Sequence, residues 1–101
     1  MSRARVATTE LFHEDLARVS SKRVLKLVAQ ALINLAAFPD MGRVARSPSI
    51  TSRFGEGVRT LVCGKYLLVY RHAEGVVQAL ALYPARIVRK RTKTRSGVGS
   101  G

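Results

Sequence analysis

Apolar side chains in the first forty residues recur at spacings of three and four, whereas beyond residue 57 the periodicity changes and Val58–Val62 alternates. The chain therefore predicts helices first and strands second. Arg5–Thr8 is a short β-tolerant segment, and Thr9 followed by Glu10 reads as a helix N-cap with an acid in the first turn. A helix from about Glu10 to Val19 places Leu11, Phe12, Leu16 and Val19 on one stripe and turns His13, Glu14, Asp15 and Arg18 outward. Ser20-Ser21 breaks that pattern and caps a second helix from about Lys22 to Ala37, where Val24, Leu25, Val28, Ala31, Leu32, Leu35 and Phe38 give the strongest periodicity in the chain. The short turn between the stripes predicts a helical hairpin.

Phe38-Pro39-Asp40-Met41-Gly42 ends the second helix, because the residue before a proline is pushed out of the α region. From Arg43 to Gly57 the chain is polar and carries Ser47-Pro48-Ser49 and Gly55-Glu56-Gly57, which reads as a surface loop. Val58–Val62 and Tyr66–Arg71 flank the tight reversal Cys63-Gly64-Lys65, and Ala73-Glu74-Gly75 leads into a third strand, Val76–Tyr83. The predicted fold class is α+β: an N-terminal strand and a helical hairpin packed on an antiparallel β-sheet.

With 101 residues there is room for one core, so residues 1–88 are assigned to one domain and residues 89–101 to a flexible, basic, Gly/Ser-rich tail. The 18 Lys and Arg against 6 Asp and Glu give a net charge of +12, which favours an anionic partner. Nucleic acid, a membrane surface and an acidic protein all satisfy that requirement. Part of the excess is the run Arg86, Arg89, Lys90, Arg91, Lys93 and Arg95, readable as a solvated tail or as a contact segment. Cys63 is the lone cysteine, so an internal disulfide and a multi-cysteine metal site are both excluded, and a reducing cytoplasm is expected. No run of about 18 apolar residues and no apolar leader stands in the sequence, so neither membrane insertion nor export is expected.

Several segments carry a family likeness. Glu14-Asp15-Leu16, the helix exit Leu35-Ala36-Ala37-Phe38-Pro39-Asp40-Met41-Gly42-Arg43, and the hairpin Val58-Arg59-Thr60-Leu61 with Tyr66-Leu67-Leu68-Val69-Tyr70-Arg71 follow one another in order over residues 6–86. This arrangement resembles the ParE/RelE superfamily of type II toxins, with its "L-x-x-F-P-x-x-G-R" and "V-R-x-L … Y-x-I-x-Y-R" segments. Two departures stand out: a short inter-helix connection, and Leu82-Tyr83-Pro84-Ala85-Arg86 where the family often has a histidine followed by an arginine.

The resemblance implies a cytoplasmic toxin that forms a hetero-oligomer with an acidic antitoxin, needs no cofactor or metal, and has one of two targets. A RelE-like member cuts messenger RNA on the ribosome, which requires a base, an acid and a cation at the phosphate. Arg59, Tyr70, His72 and Tyr83 are the candidates, although each has a structural reading as well: a structural arginine, two strand aromatics and a solvated histidine. A ParE-like member binds DNA gyrase instead, and the apolar Tyr66-Leu67-Leu68-Val69 favours that branch, with Arg86, Arg89, Lys90 and Arg91 as target contacts. The antitoxin would lay apolar side chains beside the helical hairpin, where Leu16, Val19, Leu25 and Leu32 are candidates that also read as core, and would add a strand to the sheet. A plain nucleic-acid-binding module is the rival from outside the superfamily.

Overall fold

Thr9 sets the first corner of the fold. The computed structural model describes residues 3–85. After β1 (Arg5–Thr8), the Thr9 Oγ1 accepts from the Phe12 amide at 3.2 Å and so caps α1 (Glu10–Ala17), while it donates to the Ala79 and Leu80 carbonyls. One hydroxyl thus starts the helix and fastens it to the sheet. Ser21 caps α2 (Lys22–Ala37) in the same way, accepting from the Val24 amide at 3.3 Å.

The segment read as a loop contains two elements instead. Arg43–Val44 forms a two-residue strand, β2, and Pro48–Phe54 forms a helix, α3. Pro48 sits in the first helical turn, where a missing amide hydrogen costs nothing, and Ile50 and Phe54 lie four residues apart on the face that packs against the sheet. The Ser-Pro-Ser signal that suggests a turn is here a helix start.

The three remaining strands are β3 (Arg59–Cys63), β4 (Tyr66–Ala73) and β5 (Val76–Pro84), paired antiparallel as expected. Glu74 and Gly75 both adopt positive φ in the β4–β5 turn, a pair of conformations that matches the twist of a tight hairpin. The sheet has five strands in the order β1-β5-β4-β3-β2, and β1 runs parallel to β5, so it is mixed rather than antiparallel throughout. All four residues of β1 are exposed, which removes the alternation that would have announced its partner.

Each sheet face has its own core. Phe12, Val24, Val28, Ala31 and Leu35 from α1 and α2 meet Leu68, Tyr70, Val77, Ala79 and Leu82 on one face. On the other, Ala45, Ile50 and Val58 meet Val69 and Ala81. Ala79 and Leu82 have opposite parity, and they share a face because the register shifts from Val69↔Ala81 to Tyr70↔Ala79, leaving Leu80 as a bulge.

Asp15 was expected to face outward, yet it is only 7% exposed. Its Oδ2 accepts from the Leu82 amide at 3.0 Å, beyond the point where β1 ends and the outer edge of β5 would otherwise lack a partner, and Arg18 stands 3.6 Å from Oδ1. The exposed arginine contributes little by comparison. Asp15→Ala should leave a buried amide unpaired and lower unfolding stability by about 1–3 kcal/mol, measured by urea denaturation, whereas Arg18→Ala should cost less than about 1 kcal/mol.

Candidate functional site

Three of the four candidate catalytic residues converge on the loop that follows α2. Arg59 and Tyr70 are cross-strand partners, and His72 lies two residues further along β4, so all three share the face on which α2 packs. Tyr83 lies elsewhere, on the α3 face, 6.3 Å from the Phe54 ring and with the Arg53 guanidinium 5.9 Å above its own.

Tyr70 is fully buried, and its hydroxyl is used in both senses. It accepts from the Gly42 amide at 2.9 Å and donates to the Pro39 carbonyl at 2.8 Å. Burial pushes the phenol up from its ordinary value, with the Gly42 bond and Arg59 opposing. The Arg59 Nη1 donates to the Gly42 carbonyl at 2.8 Å and to the Asp40 carbonyl at 3.2 Å. His72 Nδ1 lies 2.9 Å from Asp40 Oδ1, and the Arg59 Nε lies 3.7 Å from the same oxygen. The hydrogen bond with His72 holds the Asp40 carboxyl below its ordinary range, aided by the charges of His72 and Arg59.

Gly42 is where this loop and the sheet come closest. A Cβ there would stand 2.7 Å from the Thr60 carbonyl oxygen and 2.7 Å from the Tyr70 hydroxyl. No side chain fits, so the Phe38-Pro39-Asp40-Met41-Gly42 exit has a steric reason for its glycine and a hydrogen-bonding reason for its tyrosine. On the α3 face the Arg71 Nη2 donates to the Phe54 carbonyl and ties β4 to the end of α3.

The expected antitoxin contacts divide. Val19 is 6% exposed and belongs to the core, while Leu16, Leu25 and Leu32 are half-buried against it. The exposed apolar side chains are others, among them Phe38 at 68% and Val62 at 64%, together with Leu27, Ile33 and Met41. Leu27, Met41, Leu61 and Val62 line a groove between α2 and β3 that holds no charged side chain. The spacing pattern missed it because Met41 and Val62 come from a loop and a strand edge. Arg86, Arg89, Lys90, Arg91 and the tail 89–101 lie outside the described residues. Among the described residues no helix is long and apolar enough to cross a membrane, and no three His, Cys, Asp or Glu side chains gather as metal ligands.

The fold and its loop lock define a small α+β protein of the RelE/ParE-like toxin class. A model of the ParE toxin of type II toxin–antitoxin systems, parDE, matches residues 6–88, and the chain belongs to that family. Among solved structures, the toxin–antitoxin complex RelBE2 from Mycobacterium tuberculosis contains a chain of similar fold, with a TM-score of 0.66 and 23% identity over 81% of this chain and 98% of that one. A chromosomal ParDE toxin–antitoxin system from P. aeruginosa contains another, with a TM-score of 0.59 and 18% identity over 81% of this chain and 96% of that one. A comparison with curated protein sequences gives no match.

Gly42→Ala and Tyr70→Phe should each lower unfolding stability by about 1–3 kcal/mol, and the double variant should lose less than the sum, because both break one contact. Urea titration of the four proteins measures this. Alkali should act on the same core. Burial raises the Cys63 thiol from an ordinary 9.0 to about 11. Between those values the unfolded chain sheds a proton that the fold retains, so stability falls as pH rises through this window. Tyr70 and Tyr83, both raised by burial, extend the loss above 10. The melting temperature followed from pH 8 to 11 should fall, and Cys63 should resist alkylation in the native protein but not in urea.

Proposed function

We propose that this chain is the toxin of a type II module that acts in the ParE manner, arresting growth by binding DNA gyrase, and that an acidic antitoxin neutralises it. One observation carries the reading: the side chains suited to acid–base chemistry are engaged by the protein's own backbone. The Tyr70 hydroxyl has a partner for its proton and one for its lone pair, and Arg59 is committed to two carbonyls. Tyr83, on the opposite sheet face, joins no catalytic set with them. A nuclease needs these groups free at a phosphate; an inhibitor that acts through its surface does not. The ParE family match over residues 6–88 supports the same branch.

The RelE-like alternative keeps one favourable feature, the Asp40–His72 pair, in which a carboxylate orients an imidazole as it would a general base. Against it stands the lack of a second free acid–base group beside His72.

For the antitoxin, the groove between α2 and β3 offers more than the hairpin leucines do. β2 pairs only with Arg59 and Thr60, so among the described residues the outer edge of Leu61–Cys63 has no strand beside it. An extended antitoxin segment added there would place alternate side chains on Leu27 and Met41, and its acidic residues would meet a toxin of net charge +12. The complex is a hetero-oligomer that forms in the cytoplasm.

Induced expression in a bacterial host, scored for growth, plasmid supercoiling and bulk messenger RNA integrity, tests the reading. Arrest with relaxed or broken plasmid and intact messenger RNA is expected, with rescue by an acidic protein encoded beside the toxin. Arrest with messenger RNA cut at codon boundaries, lost in His72→Gln as well as in Arg59→Ala, would instead establish the nuclease.

A further inference from the structure

A second groove differs from the antitoxin groove in its chemistry. Between β2 and α3 lies a cleft of about 560 Å³, with Arg43, Arg46 and Arg59 on its walls and the apolar side chains of Ile50 and Leu67 within it. No Asp or Glu lines it, and Ser47 and Thr60 add hydroxyl groups. Arg43 and Arg46 are exposed, whereas the Arg59 guanidinium is already engaged by the Asp40 and Gly42 carbonyls and by the Asp40 carboxylate and adds no free donor to the cleft. Two exposed guanidinium groups beside one cleft form a site for successive anions: each presents a planar fork of donors, and no carboxylate lines the cleft to oppose them.

The two grooves sort their partners. The α2–β3 groove has no charged lining and suits the apolar side chains of a peptide; the β2–α3 cleft suits a polyanion. The geometry points to the phosphodiester backbone of duplex DNA as its occupant, held without base reading by Arg43 and Arg46. This rests on the gyrase reading in one respect, the choice of DNA: a toxin that stalls gyrase works beside the DNA which that enzyme holds, and the cleft gives it a direct grip on that DNA.

Fluorescence anisotropy with a labelled 20-base-pair DNA, run over a salt series on the full-length chain, tests it. Two double variants that remove the same charge are compared, Arg43→Ala/Arg46→Ala in the cleft and Lys22→Ala/Lys26→Ala on the exposed side of α2. The cleft variant should bind at least about tenfold more weakly and show a salt slope shallower by about 1.8, while the α2 variant changes by less than about threefold. Equal losses in both variants, or none in either, overturn the proposal, because the net charge alone would then account for binding. Tighter binding of an RNA duplex of the same length, or of a polyglutamate peptide, with loss in the cleft variant, overturns the choice of DNA. A gyrase supercoiling assay separates the two readings. If the parent fails to inhibit gyrase, the functional reading fails, and the anisotropy result still decides the cleft. If the cleft variant loses DNA binding yet inhibits gyrase fully, the grip on DNA is not part of the inhibition, and the functional reading stands.

Discussion

A single buried hydroxyl, that of Tyr70, fastens the loop after α2 to the sheet. The Tyr70 ring fills the core on the α2 face, and its oxygen bridges the Pro39 carbonyl and the Gly42 amide, two backbone groups that the end of α2 leaves without helical partners. Buried away from water, each group would cost about 1–3 kcal/mol if unpaired, so the bridge fixes the path of the loop. The close approach is possible because residue 42 has no side chain. Arg59 then closes the loop from the other side, through the Asp40 and Gly42 carbonyls. With that corner set, the direction in which α2 leaves the sheet and the placement of β2 beside β3 both follow.

The parts of this arrangement that are legible from sequence are those governed by period. The stripes of α1 and α2 emerge from spacing because burial of one face imposes it, the caps at Thr9 and Ser21 from residue type, and β3, β4 and β5 from apolar runs bounded by the Cys63-Gly64-Lys65 and Ala73-Glu74-Gly75 reversals. What spacing does not encode is pairing across distance. β1 is exposed on every residue, so its parallel partnership with β5 has no local signature. The bulge at Leu80 appears only as a change of parity between Ala79 and Leu82. α3 was legible in principle from Ile50 and Phe54 at helical spacing after Pro48, but the serines on either side of that proline read equally well as a turn.

The candidate site shows the same division. Sequence picks out Arg59, Tyr70 and His72 as chemically able, and the fold does bring them together. It brings them to the chain's own backbone and to Asp40, which a list of residue types does not reveal. Asp15 illustrates the reverse error. An acid on the polar side of a helical stripe reads as solvated, yet its carboxylate completes the edge of β5 where β1 stops. In both cases a polar side chain stands in for a missing backbone partner, and periodicity is blind to that need.

The same economy shapes the surface. Of the six acidic residues, Asp15 is buried against Leu82 and Asp40 is engaged by His72 and Arg59. The other four, Glu10, Glu14, Glu56 and Glu74, are exposed, and none of them lines either groove. An approaching anionic partner therefore meets no carboxylate in the lining of either groove, on a chain whose net charge is +12. What then distinguishes one partner from another is the lining. Apolar side chains and a strand edge without a neighbour among the described residues suit a peptide that can extend β3, and paired arginines suit a partner whose charges repeat along a backbone. The apolar lining between α2 and β3 and the cationic lining between β2 and α3 thus present two different chemistries to whatever approaches.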